Sequence, residues 1–174
     1  VAYANPKSVH CWPPAEFNDR VIALHNEGPL IFTYVGHGHP RSFDKLRATG
    51  DRVFDVRDVP RLNASDPPIM GVLACSTAHF DGGQDCVGER AVARRGGPAA
   101  FIGGTRVTQP YANGLLGRAL IRSLFDEREG TIGEELRDAR HELRFGEPDD
   151  FRKMVDGFVA MVQGQESLEP MRRD

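Results

Sequence analysis

The chain has 174 residues, 40% hydrophobic and 27% charged, the balance of a globular domain large enough to bury a core. Lys and Arg number 22 against 25 Asp and Glu, a formal net charge of -3, which argues against a nucleic-acid partner held by broad positive charge. No apolar run approaches the ~20 residues of a membrane-spanning helix, so no membrane partner is expected either.

Residues 1 to 16 read as irregular, broken by Pro6, Pro13 and Pro14. Phe17, Val21, Ile22 and Leu24 suggest a short amphipathic helix closed by Gly28. The run Leu30 to Val35 is apolar and rich in strand formers, and Gly36 stops it. It reads as a strand buried on both faces, as in a parallel sheet. Residues 40 to 68 look like a long polar connection with one short helix or edge strand. Ile69 to Ala74 is a second buried strand, followed by a loop with Gly82 and Gly83. A helix is expected over 86 to 95, and a third strand over Pro98 to Ile102. Leu115, Leu116, Ala119, Leu120 and Leu124 mark an amphipathic helix. Thr131 and Glu134 form a capping-box pattern, with Ile132, Leu136, Ala139 and Leu143 on one face of the next helix. A last helix carries Phe151, Met154, Val155, Phe158 and Val162. Strand and helix alternate, which predicts an α/β fold with a mostly parallel sheet flanked by helices. Further strands are sought in residues 1 to 10, in 51 to 57, or outside the chain. Val1 in place of Met suggests an excised piece of a longer precursor.

Three cysteines, Cys11, Cys75 and Cys86, leave at least one thiol unpaired. A Cys11–Cys86 disulfide and three reduced thiols are both open. In open parallel sheets, sites form beyond the carboxyl ends of the strands. Gly36-His37-Gly38-His39 follows the first strand and Cys75-Ser76-Thr77-Ala78-His79 the second. If those strands are neighbours, His37 and Cys75 share one rim. A thiol is a good nucleophile only as thiolate, and an imidazole can take its proton or protonate the leaving group. The glycines around His37 allow close backbone approach, and the Gly38 and Cys75 amides could form an oxyanion hole. Taken singly, a strand-end Cys is more often an inert hydrophobe and a His between glycines a turn residue. Together they make the rim an even contest between structure and catalysis.

At these residues the sequence resembles the gingipain family of cysteine peptidases, in the clan of caspases and legumain. The likeness runs through Tyr34-Val35-Gly36-His37-Gly38-His39, Leu73-Ala74-Cys75 with Phe80-Asp81, Gly88-Glu89-Arg90-Ala91, and Gly97 to Thr108. Asn113, Leu124-Phe125 and Ile132 to Leu136 continue it, so it covers roughly residues 13 to 145. The resemblance implies a caspase-like three-layer sandwich over 1 to 174 as a single domain, a fragment or one chain of a larger precursor. It implies a cysteine endopeptidase with Cys75 as nucleophile, His37 as general acid, and the Gly38 and Cys75 amides on the oxyanion. It implies that Thr105, Arg106, Val107, Thr108 and Gln109 line the primary specificity pocket. Protein or peptide substrates and segments of its own precursor are the implied partners, with no cofactor or metal, in an extracellular or periplasmic setting.

The sequence departs from the family in places. His39 stands where Ser is common, and His79 where a small or amide residue is. The family's acidic partner to the histidine is not placed; Glu16, Asp19 and Glu27 are candidates by position. Asp81 and Asp85 could read a basic residue before the scissile bond, although loop aspartates are usually solvated. No compact carboxylate loop suggests calcium. Two rivals remain: a zinc hydrolase built on His37, His39, Cys75 and His79, and a caspase-like module without catalysis that serves binding.

Overall fold

In the computed structural model, residues 2, 7–126, 131, 133–134 and 136–137 are described. The chain forms two compact units, Val1–Pro110 and Tyr111–Asp174. In the first unit, the three apolar runs become β1 (Ile31–Val35), β4 (Ile69–Leu73) and β5 (Ala100–Gly103). They make one parallel sheet in the order β1-β4-β5. Two helices precede and separate these strands. α1 (Phe17–Asn26) ends as expected, with Gly28 at a φ of 68° that suits glycine. α2 (Val87–Ala93) starts on a capping box in which Cys86 Sγ accepts from the Glu89 amide and the Glu89 carboxylate accepts from the Cys86 amide.

Register explains which face holds the core. Phe32, Met70 and Phe101 are paired in one row, and Tyr34, Val72 and Gly103 in the next along the same face. Met70 and Val72 are fully buried there, each contributing roughly 1.5–3 kcal/mol. α1 meets this face where His25 lies against Phe32. α2 meets it too, with Gly88 so close to Phe101 that a methyl group would sit 2.8 Å from the ring. The opposite rows differ. Thr33 and Val35 are exposed, and Val35 is 71% accessible. The expectation of a first strand buried on both faces is therefore corrected. β1 pairs on one side only among the described residues, whereas the central β4 has the buried pattern.

The segment 40 to 68, expected to hold one short helix or edge strand, holds both a short strand, β3 (Ser42–Phe43), and a 3-10 turn at Val59–Arg61. β3 pairs with β2 (Gly38–His39), just before the segment, in a hairpin turned at Pro40-Arg41. Single bridges Ser42–Asp55 and Lys45–Arg52 extend it, so residues 51 to 57 pair with the hairpin and not with the main sheet. Phe43, Leu46, Val53, Phe54, Val59 and Leu62 are all buried, and Phe43 stacks on Tyr34 at 4.3 Å between ring centroids. The periodic signal was weak because each strand is two residues long. No strand lies among the described residues before Pro14.

α3 (Pro110–Asp126) belongs to the second unit from Tyr111 onward. It starts five residues before the expected Leu115, because proline suits a first helical turn. The Thr131–Glu134 capping box is formed: the Glu134 amide donates to Thr131 Oγ1 at 3.3 Å, and Glu134 Oε2 accepts from the Thr131 amide at 2.7 Å. Ile132, Ala139, Leu143 and the last helix from Phe151 to Val162 fall outside the described residues.

Candidate active site

His37 follows β1 by two residues. Its backbone is fixed by Tyr34, whose hydroxyl donates to the His37 carbonyl at 2.9 Å and accepts from the Asp44 amide at 3.2 Å. Burial pushes the Tyr34 phenol up to about 12, so it stays a neutral donor at any physiological pH. Gly36 leaves room for this hydroxyl: a methyl group there would sit 2.5 Å from it, and the Tyr34 ring would have to shift. The His37 residue itself is exposed.

Cys75 follows β4 by the same two residues, and Val35 and Leu73 are register partners. The two strand ends thus deliver His37 and Cys75 to one rim of neighbouring strands. Gly38 rests directly on this turn. A methyl group at Gly38 would collide with the Cys75 carbonyl and lie 2.8 Å from both the Ala74 Cβ and the Thr77 Cγ2. Just past the thiol, Ser76 has a φ of 54°, a left-handed conformation shared by no other non-glycine among the described residues. The Ser76 amide donates to the Arg106 carbonyl and the Ala78 amide to the Gly104 carbonyl, each at 2.9 Å.

The thiol is held by the loop that follows β5. The Thr108 amide donates to Cys75 Sγ at 3.4 Å, the Thr108 hydroxyl is at 3.6 Å, and the thiol can donate to the Thr108 carbonyl at 3.5 Å. The amide, and then the hydroxyl, hold the thiol below its ordinary range, against a smaller opposing effect of burial. No hydrogen bond joins His37 to Cys75 among the described residues. An imidazole and a thiol on one rim, with backbone amides nearby, can divide proton transfer and nucleophilic attack between them.

Of the loop 105–109, Thr108 touches the thiol, while Thr105, Arg106, Val107 and Gln109 are exposed beside it. Arg106 grips Asp81 with two hydrogen bonds, 2.8 and 2.5 Å, and His79 Nε2 approaches the same carboxylate at 3.3 Å. Asp85 is exposed. The zinc arrangement is not assembled: His39 lies on β2, His79 is engaged by Asp81, and no three His, Cys, Asp or Glu converge as a metal site among the described residues. Asp19 pairs with Arg61 at 2.6 Å and Glu27 with Arg20 at 2.9 Å. Neither they nor the exposed Glu16 bond His37 among the described residues. Sequence reasoning placed Thr108 in the pocket but missed its contact with the thiol, and it assigned no role to Tyr34 or Asp44, the last joined to the His37 backbone through the Tyr34 hydroxyl. A Tyr three residues before a Gly-flanked His was the only available signal. All three thiols are free, with Cys86 buried. A separate groove runs beside β1, lined by Trp12, Phe17, Leu24, Phe32 and Leu46 among others, and includes neither His37 nor Cys75.

Comparison with known proteins places these features in a family context. The pattern of peptidase family C25 matches residues 2–161. Among solved structures, the chain is similar to the Arg-specific cysteine proteinase gingipain R (RgpB), with a TM-score of 0.60 and 18% identity over 79% of this chain. It is also similar to a complex of the pro- and mature domains of RgpB from Porphyromonas gingivalis, with a TM-score of 0.56 and 19% identity over 69% of this chain. The chain covers 33% and 28% of those two chains, about a third of their length. The likeness shows a shared fold: the caspase-like α/β architecture of gingipains, with its mostly parallel sheet and flanking helices. No curated protein sequence matches the chain significantly.

Proposed function

The chain belongs to peptidase family C25, and from that membership we propose that it is a cysteine endopeptidase acting through Cys75 and His37. The observation that carries this reading is the alignment of β1 and β4, whose paired ends put both residues on one rim with Gly38 against the Cys75 carbonyl.

In the proposed reaction, the Cys75 thiolate attacks the scissile carbonyl carbon. The tetrahedral oxyanion is held by the Gly38 and Cys75 amides, worth a few kcal/mol in such sites. His37 protonates the departing amine, leaving a thioester on Cys75. Water then attacks the thioester, His37 takes its proton, and the acid product leaves as the Cys75 thiolate is restored. Thr108 keeps the thiol ionisable before substrate arrives, and Thr105 to Gln109 form one wall of the pocket. Substrates are proteins or peptides. One solved relative is a complex of pro- and mature domains, which supports a pro-segment as a partner here too.

Cleavage of a fluorogenic peptide library by the protein, by Cys75→Ala and by His37→Ala tests the reading. Hydrolysis lost in both variants is the expected result. Hydrolysis that persists in Cys75→Ala overturns the nucleophile, and a complete lack of hydrolysis in the unaltered protein favours the binding module.

A further inference from the structure

The two loops that border Cys75 carry an unusual distribution of charge and apolar surface. Ser76 and Ala78 are tied by backbone hydrogen bonds to Arg106 and Gly104, so the loops after β4 and β5 form one wall. Asp81 and Asp85 are the carboxylates on this wall, and Asp81 is fully engaged. Arg106 meets it in a two-pronged pair at 2.8 and 2.5 Å, and His79 adds a third donor at 3.3 Å. Arg106 also donates to the Thr105 carbonyl at 2.9 Å, which braces its guanidinium. This pairing geometry is the one a substrate arginine would use on a carboxylate.

Among the exposed residues of the two loops, Thr105, Gln109, Gln84 and Asp85 are polar, and two large apolar side chains stand beside the pair. Val107 is 81% accessible and Phe80 66%, and each is the chain neighbour of a member of the ion pair. Val35, two residues before His37, is 71% accessible. Single exposed hydrophobic residues need no explanation. Phe80 and Val107 flank the two members of the ion pair on loops that are tied together, which offers a peptide apolar contact beside the pair.

We propose that Arg106 determines specificity: it occupies Asp81 from within, so the wall beside Cys75 takes peptides with an apolar residue next to the scissile bond and turns away basic ones. This refines the peptidase reading and sets the chain apart from its Arg-specific solved relative. An exposed ion pair adds little to stability. Its effect here is competitive, because a substrate guanidinium must displace a tethered one that is always present.

The test separates binding from catalysis by using the Cys75→Ala protein. Two fluorescent peptides, identical except for Leu or Arg before the bond, are titrated by anisotropy. The Leu peptide is expected to bind about tenfold more tightly. Adding Arg106→Ala should tighten the Arg peptide about tenfold relative to the Leu peptide. Adding Asp81→Ala as well should cancel that gain. Tighter binding of the Arg peptide while Arg106 is present overturns the proposal. So does an unchanged ratio in Arg106→Ala, or no binding of either peptide. If the binding order holds but the unaltered protein cleaves neither peptide, specificity stands and the peptidase reading fails.

Discussion

A thiol attacks as thiolate, so whatever touches Sγ governs Cys75. In this chain the contact is Thr108, through its amide and its hydroxyl. Thr108→Val keeps the amide and the shape and removes the hydroxyl. The expected outcome is a higher pH midpoint for Cys75 alkylation by iodoacetamide and a several-fold slower reaction near neutrality; an unmoved midpoint would assign the effect to the amide alone. The next residue tests backbone strain. Ser76 has a φ of 54°, and a β-branched side chain is poorly tolerated there. Ser76→Val should destabilise the protein by roughly 1–2 kcal/mol in urea unfolding, with Ser76→Gly near neutral. Neither interaction could be read from sequence. His37 and Cys75 stood out because strand-end chemistry is local, whereas Thr108 reaches Cys75 only after 33 residues of chain have folded back.

At the scale of elements, the turn after β4 is a tight joint between β2 and α2. Thr77 is fully buried beneath it, its hydroxyl without a partner and its Cγ2 facing Gly38. Its carbonyl accepts from the Gly88 amide at 3.1 Å. An orphaned buried hydroxyl is unfavourable, and the same shape without it is not. Thr77→Val should therefore leave thermal stability unchanged or raise it, while Gly38→Ala forces the joint apart. We expect Gly38→Ala to lower kcat/KM by about two orders of magnitude, the scale of a ~1 Å misplacement. A Gly38→Ala protein of full activity would remove Gly38 from the site. The three parallel strands and two helices of the first unit were legible because their apolar runs are continuous or periodic. The β2–β3 hairpin was not, because its stability lies in the contact of Tyr34, Phe43 and Phe54, residues that no short window joins.

For the whole molecule, His25 ties stability to pH. It is 1% accessible on α1, and its Nδ1 meets Asn26 Oδ1 at 3.1 Å. That oxygen also accepts from the Asn63 amide, and Asn26 Nδ2 donates to the Arg61 carbonyl. The oxygen can only accept, so Nδ1 carries the proton and Nε2 is bare, with no partner. Burial lowers the folded pKa below 6.5, against a smaller opposing effect of Asn26. Between the folded value and 6.5 the unfolded chain binds more protons, so stability rises with pH across that window. Stability falls as pH drops through about 6.5, and the loss is complete below the folded pKa. Tm measured from neutral to mildly acidic pH should decline, and His25→Leu should flatten that part of the curve. An equal decline in the variant would place the sensitivity elsewhere. Nothing in the helical pattern singles out His25; only the fold shows that it is dry.

Cys86 and Cys75 differ in one further way. One sulfur caps a helix and is almost wholly enclosed, with its thiol pushed up by burial; the other is partly open and held down. A thiol reagent followed at these two sites, beside the partly open Cys11, will therefore read two clocks in one molecule. Cys75 should react at the pace of the folded protein. Cys86 should react only when α2 opens, at a rate set by how often that helix lets go. Mass spectrometry of a timed labelling course thus measures local opening without any introduced probe.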